Sequence, residues 1–187
     1  GRVMVVEVMG RYAGWIALHC GIAGSADAVL IPEIPFDIQV VAKKIQERDE
    51  QGHYFSIVVV SEAAHPIGGN IVAKPQTGRQ ELLGGIGGLV ASELERLTGK
   101  ETRLVVLGHL LRGGSPTSFD RLVALRFGAA AVRALSEGMD GVMVALDPPN
   151  VRYVPLEKVT SRTKKVPLDS DTILTARDLG ICLGDNK

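Results

Sequence analysis

The stretch Val3-Met4-Val5-Val6-Glu7-Val8-Met9-Gly10-Arg11-Tyr12-Ala13-Gly14-Trp15 (VMVVEVMGRYAGW) decides how the chain is read. Val3–Val8 is apolar throughout except for Glu7, and it reads as a buried strand. That strand stops at Gly10 and a bare arginine, and Trp15–Ala23 continues as a helix rich in small residues. Glycine lets the backbone come close to a partner, and a helix start offers unpaired N–H groups. A strand, a glycine turn, an arginine and a helix start make a place where an anion could be held.

The same alternation continues outward from this stretch. Ala28–Ile31 reads as a short second strand closed by Pro32, and Asp37 can cap a helix running through Glu50. Val40, Val41 and Ile45 lie on the inner face of that helix. Phe55–Val60 (FSIVVV) is an all-apolar strand of the kind that parallel sheets bury on both faces. A loop rich in Gly, Pro and Asn follows from Ala63 to about Gly78. Leu82–Thr98 reads as a helix, Arg103–Leu107 as a fourth strand, and Ser118–Ser136 as an Ala-rich helix stopped by Gly138. Val142–Leu146 and Val151–Val154 flank an Asp-Pro-Pro-Asn turn, and an irregular basic tail after Leu156 ends in a helical segment near Thr172–Leu179. Four strand–helix alternations predict an α/β fold with a mostly parallel sheet flanked by helices.

Composition narrows the class. A chain of 187 residues, 45% hydrophobic and 22% charged, is long enough for a good core. Lys plus Arg (21) balances Asp plus Glu (21), so no charge excess points to nucleic acid or an anionic membrane. No apolar run reaches the length of a membrane span. Cys20 and Cys182 have no metal-ligand spacing and form no disulfide framework, so a reducing, cytoplasmic setting is expected. Gly1 is not an initiator methionine and Arg2 enters a strand directly, which reads as a piece of a longer chain.

Ligand crevices of open parallel sheets lie beyond the carboxyl ends of the strands, and three polar clusters fall there. Met9-Gly10-Arg11 follows the first strand; on its own it also reads as a helix-start glycine beside a surface arginine. Ser61-Glu62 follows the third strand, where the carboxylate could accept sugar hydroxyls or cap a turn. Gly108-His109-Leu110-Leu111-Arg112-Gly113-Gly114-Ser115-Pro116 follows the fourth. A His and an Arg around a Gly-Gly turn suit an anionic oxygen cluster such as a phosphate monoester, although lone histidines are more often structural. Placing all three on one edge of one sheet favours the functional reading.

VEVMGRYAGW and LGHLLRGGSPTSFDR resemble the second half of the 6-phosphofructokinase family, and the likeness runs to about Leu146. The resemblance implies a phosphofructokinase-like fold with part of a second lobe missing, so that residues 1–187 are the fructose 6-phosphate-binding half. It implies glycolytic phosphoryl transfer from ATP or pyrophosphate to the 1-hydroxyl of fructose 6-phosphate. Met9, Gly10 and Arg11 match residues that contact the sugar phosphate, and Arg11 also stands near the transferring group as the catalytic residue of this half. Glu62 matches the acid on the sugar hydroxyls, and His109 and Arg112 match the pair at the 6-phosphate. Arg2 and Arg103 match arginines that reach that phosphate from a neighbouring subunit, implying a homo-oligomer with shared sites.

The family's donor loops, its catalytic aspartate and its Mg²⁺ site belong to the other half, and no segment here resembles them. The isolated chain is therefore expected to be inactive. The long loop after Ala63 resembles the branch that includes pyrophosphate-using members. A non-catalytic sugar-phosphate-binding or regulatory subunit is the alternative; the presence of Arg11, Glu62, His109 and Arg112 together argues against it. A generic nucleotide-binding module is excluded because no P-loop or G-x-G-x-x-G follows a strand.

Overall fold

The computed structural model describes residues 1–74, 82–161 and 163–186. In chain order the elements are β1 (Arg2–Val8), α1 (Trp15–Ala23), β2 (Ala28–Leu30), α2 (Ile38–Glu50), β3 (Phe55–Ser61), β4 (Ala73–Lys74), β5 (Leu82–Leu83), α3 (Ile86–Thr98) and β6 (Glu101–Val106). A 3₁₀ turn over Gly108–Arg112 leads to α4 (Ser118–Ser136), β7 (Val142–Asp147), β8 (Asn150–Pro155), α5 (Leu156–Thr160) and α6 (Asp171–Asp178). No helix among the described residues is long and apolar enough to cross a membrane.

The chain divides into two compact units, one of Gly1–Leu111 with Lys164–Lys187 and one of Arg112–Thr163. The first is built on a four-stranded sheet in the order β2-β3-β1-β6, with every neighbouring pair parallel. Consecutive parallel strands need crossovers, and α1, α2 and α3 supply them. Apolar side chains on the two sides of the sheet enter two separate cores. Val3, Val5, Val58 and Val60 pack with Val41, Ile45, Val90 and Leu94 of α2 and α3. Val8 and Val59 pack with Leu18 of α1 and with Ile173 and Ala176 of α6. The tail thus returns to this unit, where Cys182 accepts from Val29 N–H and its own N–H donates to the Asp27 carbonyl beside β2.

Local chemistry sets several element ends where the sequence puts them. Asp37 caps α2, its Oδ1 accepting from Gln39 N–H at 2.9 Å. The bounds of α1 and α4 agree with the expected ones. Three expectations are corrected. The helix expected from Leu82 begins at Ile86, because Gly84 and Gly85 take φ of 126° and 96°, which a right-handed helix cannot contain. The fourth strand begins at Glu101 rather than Arg103, so that Arg2 faces Glu101 across β1 and β6. The tail also forms a short helix, α5, where irregular chain was expected. The loop expected from Ala63 to Gly78 lies outside the described residues beyond Lys74; before that point it ends in β4, paired antiparallel with β5.

Glu7, the one charged residue in β1, is only 4% exposed. Its carboxylate accepts from Gly85 N–H (3.1 and 3.2 Å) and Gly87 N–H (2.8 Å), closing the start of α3. First-turn N–H groups have no partner within a helix, and an anion there also opposes the helix dipole favourably. Glu33 does the same for α1: it accepts from Gly14 N–H at 3.0 Å and from Val166 N–H at 2.9 Å.

In the second unit, α4 opens with a capping box between Thr117 and Asp120. The β7–β8 hairpin is antiparallel, and the Tyr153 hydroxyl donates to the Ala130 carbonyl of α4 at 2.8 Å.

Candidate functional site

The register of the sheet brings the motif clusters together. Val8 at the end of β1 faces Ser61 at the end of β3, and Glu7 faces Val106 at the end of β6. Met9-Gly10-Arg11, Ser61-Glu62 and the segment leading to His109 therefore leave the sheet side by side at one edge. Glu62 N–H donates to the Val8 carbonyl at 2.9 Å, and Leu107 N–H donates to the Glu7 carbonyl at 3.1 Å. These bonds carry the sheet's pairing one residue past β3 and β6 and hold both exits against β1.

The first two clusters are joined directly. Gly10 N–H donates to Glu62 Oε1 at 3.2 Å, and the Ser61 hydroxyl donates to the Gly10 carbonyl at 3.5 Å. Ala13 N–H closes a turn on the same carbonyl at 3.0 Å. The turn gives Gly10 a structural reason that the sequence does not disclose. A Cβ on Gly10 would stand 2.8 Å from both the Ala13 carbonyl oxygen and Ser61 Oγ. Gly10 is required by the packing of its own turn, whatever approaches from outside.

Arg11 is half-buried, with its guanidinium carbon 5.5 Å from the centroid of the exposed Tyr12 ring. That distance is within cation–π range, so the ring flanks the cation and restricts where it can swing. Met9 and Glu62 are half-buried and His109 is exposed on the 3₁₀ turn, where Leu107 just before the turn and Leu111 within it pack against the core. Arg112 ends that turn and is the first residue of the second unit.

Arg2 and Arg103 lie elsewhere. Arg2 is the first residue of β1; Arg103 is the third of β6, not the residue at its start as expected. At a rise of about 3.3 Å per residue, seven-residue β1 puts Arg2 roughly 20 Å from the edge that carries Gly10. Both guanidinium groups are bonded to one carboxylate, that of Glu101. Sequence reading passed over Glu101, although Glu101 and Arg103 share a face of the strand by simple alternation. It likewise treated Glu7 as an interruption, where a lone charge in an apolar strand signals a buried partner.

Among the described residues no group of three His, Cys, Asp or Glu side chains is placed to hold a metal ion. The edge carries a carboxylate, an arginine and a histidine, side chains whose acceptors and donors suit an oxygen-rich ligand.

The phosphofructokinase family model matches residues 1–135. The chain belongs to the phosphofructokinase family. It is 55% identical over 184 residues to an ATP-dependent 6-phosphofructokinase of Chloroflexus aurantiacus, covering 98% of this chain and 51% of that protein. It is 48% identical over 171 residues to a pyrophosphate–fructose 6-phosphate 1-phosphotransferase of Amycolatopsis methanolica, covering 89% and 49%. Among solved structures, the pyrophosphate-dependent phosphofructokinase of Nitrosospira multiformis matches with a TM-score of 0.75 at 27% identity, covering 98% of this chain and 48% of that one. The chain spans about half the length of the curated relatives it matches.

Proposed function

We propose that this chain is the fructose 6-phosphate-binding half of a 6-phosphofructokinase, a phosphotransferase that makes fructose 1,6-bisphosphate. The observation that carries the reading is the bond from Gly10 N–H to Glu62 Oε1, which ties two family motifs, 52 residues apart, into one edge. In this reading Met9 and Gly10 present backbone to the sugar and Glu62 accepts from its hydroxyls. His109, with Arg112 three residues on, holds the 6-phosphate. Arg11 stands where negative charge develops during transfer, and its planar fork suits that task better than a lysine. The donor is ATP or pyrophosphate, since relatives of both names match, and in this reading donor and magnesium belong to the half of the family's fold that this chain does not cover. Copies of the protein assemble so that Arg2 and Arg103 of one reach the sugar phosphate of another.

Without donor positioning, about 7–11 kcal/mol of barrier lowering is lost, so the 187-residue chain alone binds the sugar weakly and does not turn it over. The test uses the full-length protein with fructose 6-phosphate, Mg²⁺ and either ATP or pyrophosphate, with product identified by phosphorus NMR. Transfer to the 1-hydroxyl, lowered at least about 100-fold in kcat/KM by Arg11→Ala, supports the reading. Calorimetric binding of fructose 6-phosphate without transfer from either donor would instead identify a non-catalytic sugar-phosphate-binding or regulatory subunit.

A further inference from the structure

We propose that Glu101 is a positioning residue: its single carboxylate clips Arg2 and Arg103 side by side as one anion-receiving fork. The proposal rests on the reading above, in which these arginines meet the 6-phosphate of a neighbouring copy's substrate, and it adds the residue that organises them.

Glu101 Oε2 accepts from Arg2 Nε at 3.1 Å and Nη2 at 3.0 Å. Oε1 faces Arg103, with Nε at 2.8 Å and Nη2 at 2.7 Å. The sheet dictates this sharing. Arg2 stands opposite Glu101 in the β1–β6 register, and Arg103 follows Glu101 by two residues on the same face of β6. Each guanidinium uses its Nε/Nη2 side on Glu101, which leaves the second edge, one hydrogen of Nη1 beside the other hydrogen of Nη2, uncommitted to that carboxylate. A fork–fork contact with a phosphate needs only a second edge of this kind.

Stability does not explain the arrangement. The side chains of Arg2, Glu101 and Arg103 are 45%, 49% and 56% exposed, and exposed ion pairs contribute little to folding. Two arginines brought together without an anion repel each other and sample many rotamers. A carboxylate between them removes both problems before a ligand arrives, and the trio keeps a net positive charge of one. Pre-ordering of this sort shows in affinity rather than in turnover.

The experiment measures steady-state kinetics of the full-length protein over a range of fructose 6-phosphate concentrations for wild type, Glu101→Gln, Glu101→Ala and an Arg2→Ala/Arg103→Ala background. Both Glu101 variants should raise KM for fructose 6-phosphate about 5–20-fold, with kcat within about twofold, donor KM unchanged and melting temperature unmoved. In the double-arginine background, Glu101→Gln should add nothing further. An unchanged or lowered KM in Glu101→Gln would overturn the clip, a lowered one showing that the carboxylate competes with the phosphate. A joint fall of kcat and melting temperature would also overturn it, as the mark of a merely structural residue. Failure of the wild type to saturate with fructose 6-phosphate would remove the underlying reading and the clip with it; normal wild-type kinetics with unaffected Glu101 variants would remove the clip alone.

Discussion

Gly10→Ala separates two reasons for a glycine at the end of β1. If Gly10 exists only to let a sugar approach, alanine there weakens binding and leaves the folded protein untouched. The geometry predicts otherwise. The added methyl would lie 2.8 Å from Ser61 Oγ and 2.8 Å from the Ala13 carbonyl oxygen, both well inside ordinary contact. Ser61 can yield, because its hydroxyl bond to the Gly10 carbonyl, at 3.5 Å, is already at the limit of such a bond. The Ala13 oxygen is backbone, in the turn closed by Ala13 N–H on Gly10 at 3.0 Å, and it cannot yield without opening that turn. Overpacking of this kind costs about 1–3 kcal/mol, and with one of two contacts relieved a value near 2 is expected. For a chain of this size that lowers the melting temperature by about 4–8 °C. Calorimetry of the ligand-free variant gives the first number, and titration with fructose 6-phosphate gives the second. Gly10→Ala/Ser61→Ala should recover part of the stability, since it removes one of the two clashing atoms. A ligand-free melting temperature within about 1 °C of wild type, together with weakened sugar binding, would refute the packing account and restore the ligand-approach account.

Glu7→Gln should destabilise the protein by about 2–3 kcal/mol, because Gly85 N–H lies against both carboxylate oxygens and Gly87 N–H against one, so in either orientation the amide sets its NH2 against a buried backbone donor. Urea unfolding followed by circular dichroism measures it, and a change below about 0.5 kcal/mol would show that the start of α3 has other partners. The Arg103 guanidinium first, then that of Arg2, holds the Glu101 carboxyl below its ordinary value of 4.5. The shift favours the ionised form, so the carboxylate stays charged further down in pH than an unpaired glutamate does. NMR titration should therefore find Glu101 ionised at pH 4.5, and Arg103→Ala should raise its midpoint more than Arg2→Ala does; an ordinary midpoint in the wild type would contradict the shared clip.

Much of the fold follows from short-range chemistry in the sequence. Apolar runs at Val3–Val8 and Phe55–Val60, the cap at Asp37 and the alternation of strand with helix specify a parallel α/β sheet, because periodicity and capping act within a few residues. The Met9–Arg11, Glu62 and His109 motifs could be placed at strand ends for the same reason. Neighbours could not. The order β2-β3-β1-β6, the return of Cys182 beside β2 and the bond from Gly10 to Glu62 each join residues far apart in the chain. Three acids that read as unremarkable, Glu7, Glu33 and Glu101, acquire their roles only there. Each receives donors fixed by a different segment: the N–H groups opening α3 for Glu7, those of Gly14 and Val166 for Glu33, and two arginines for Glu101. A side chain's own identity states what it can accept; only the packed chain decides which donors come within about 3 Å of it.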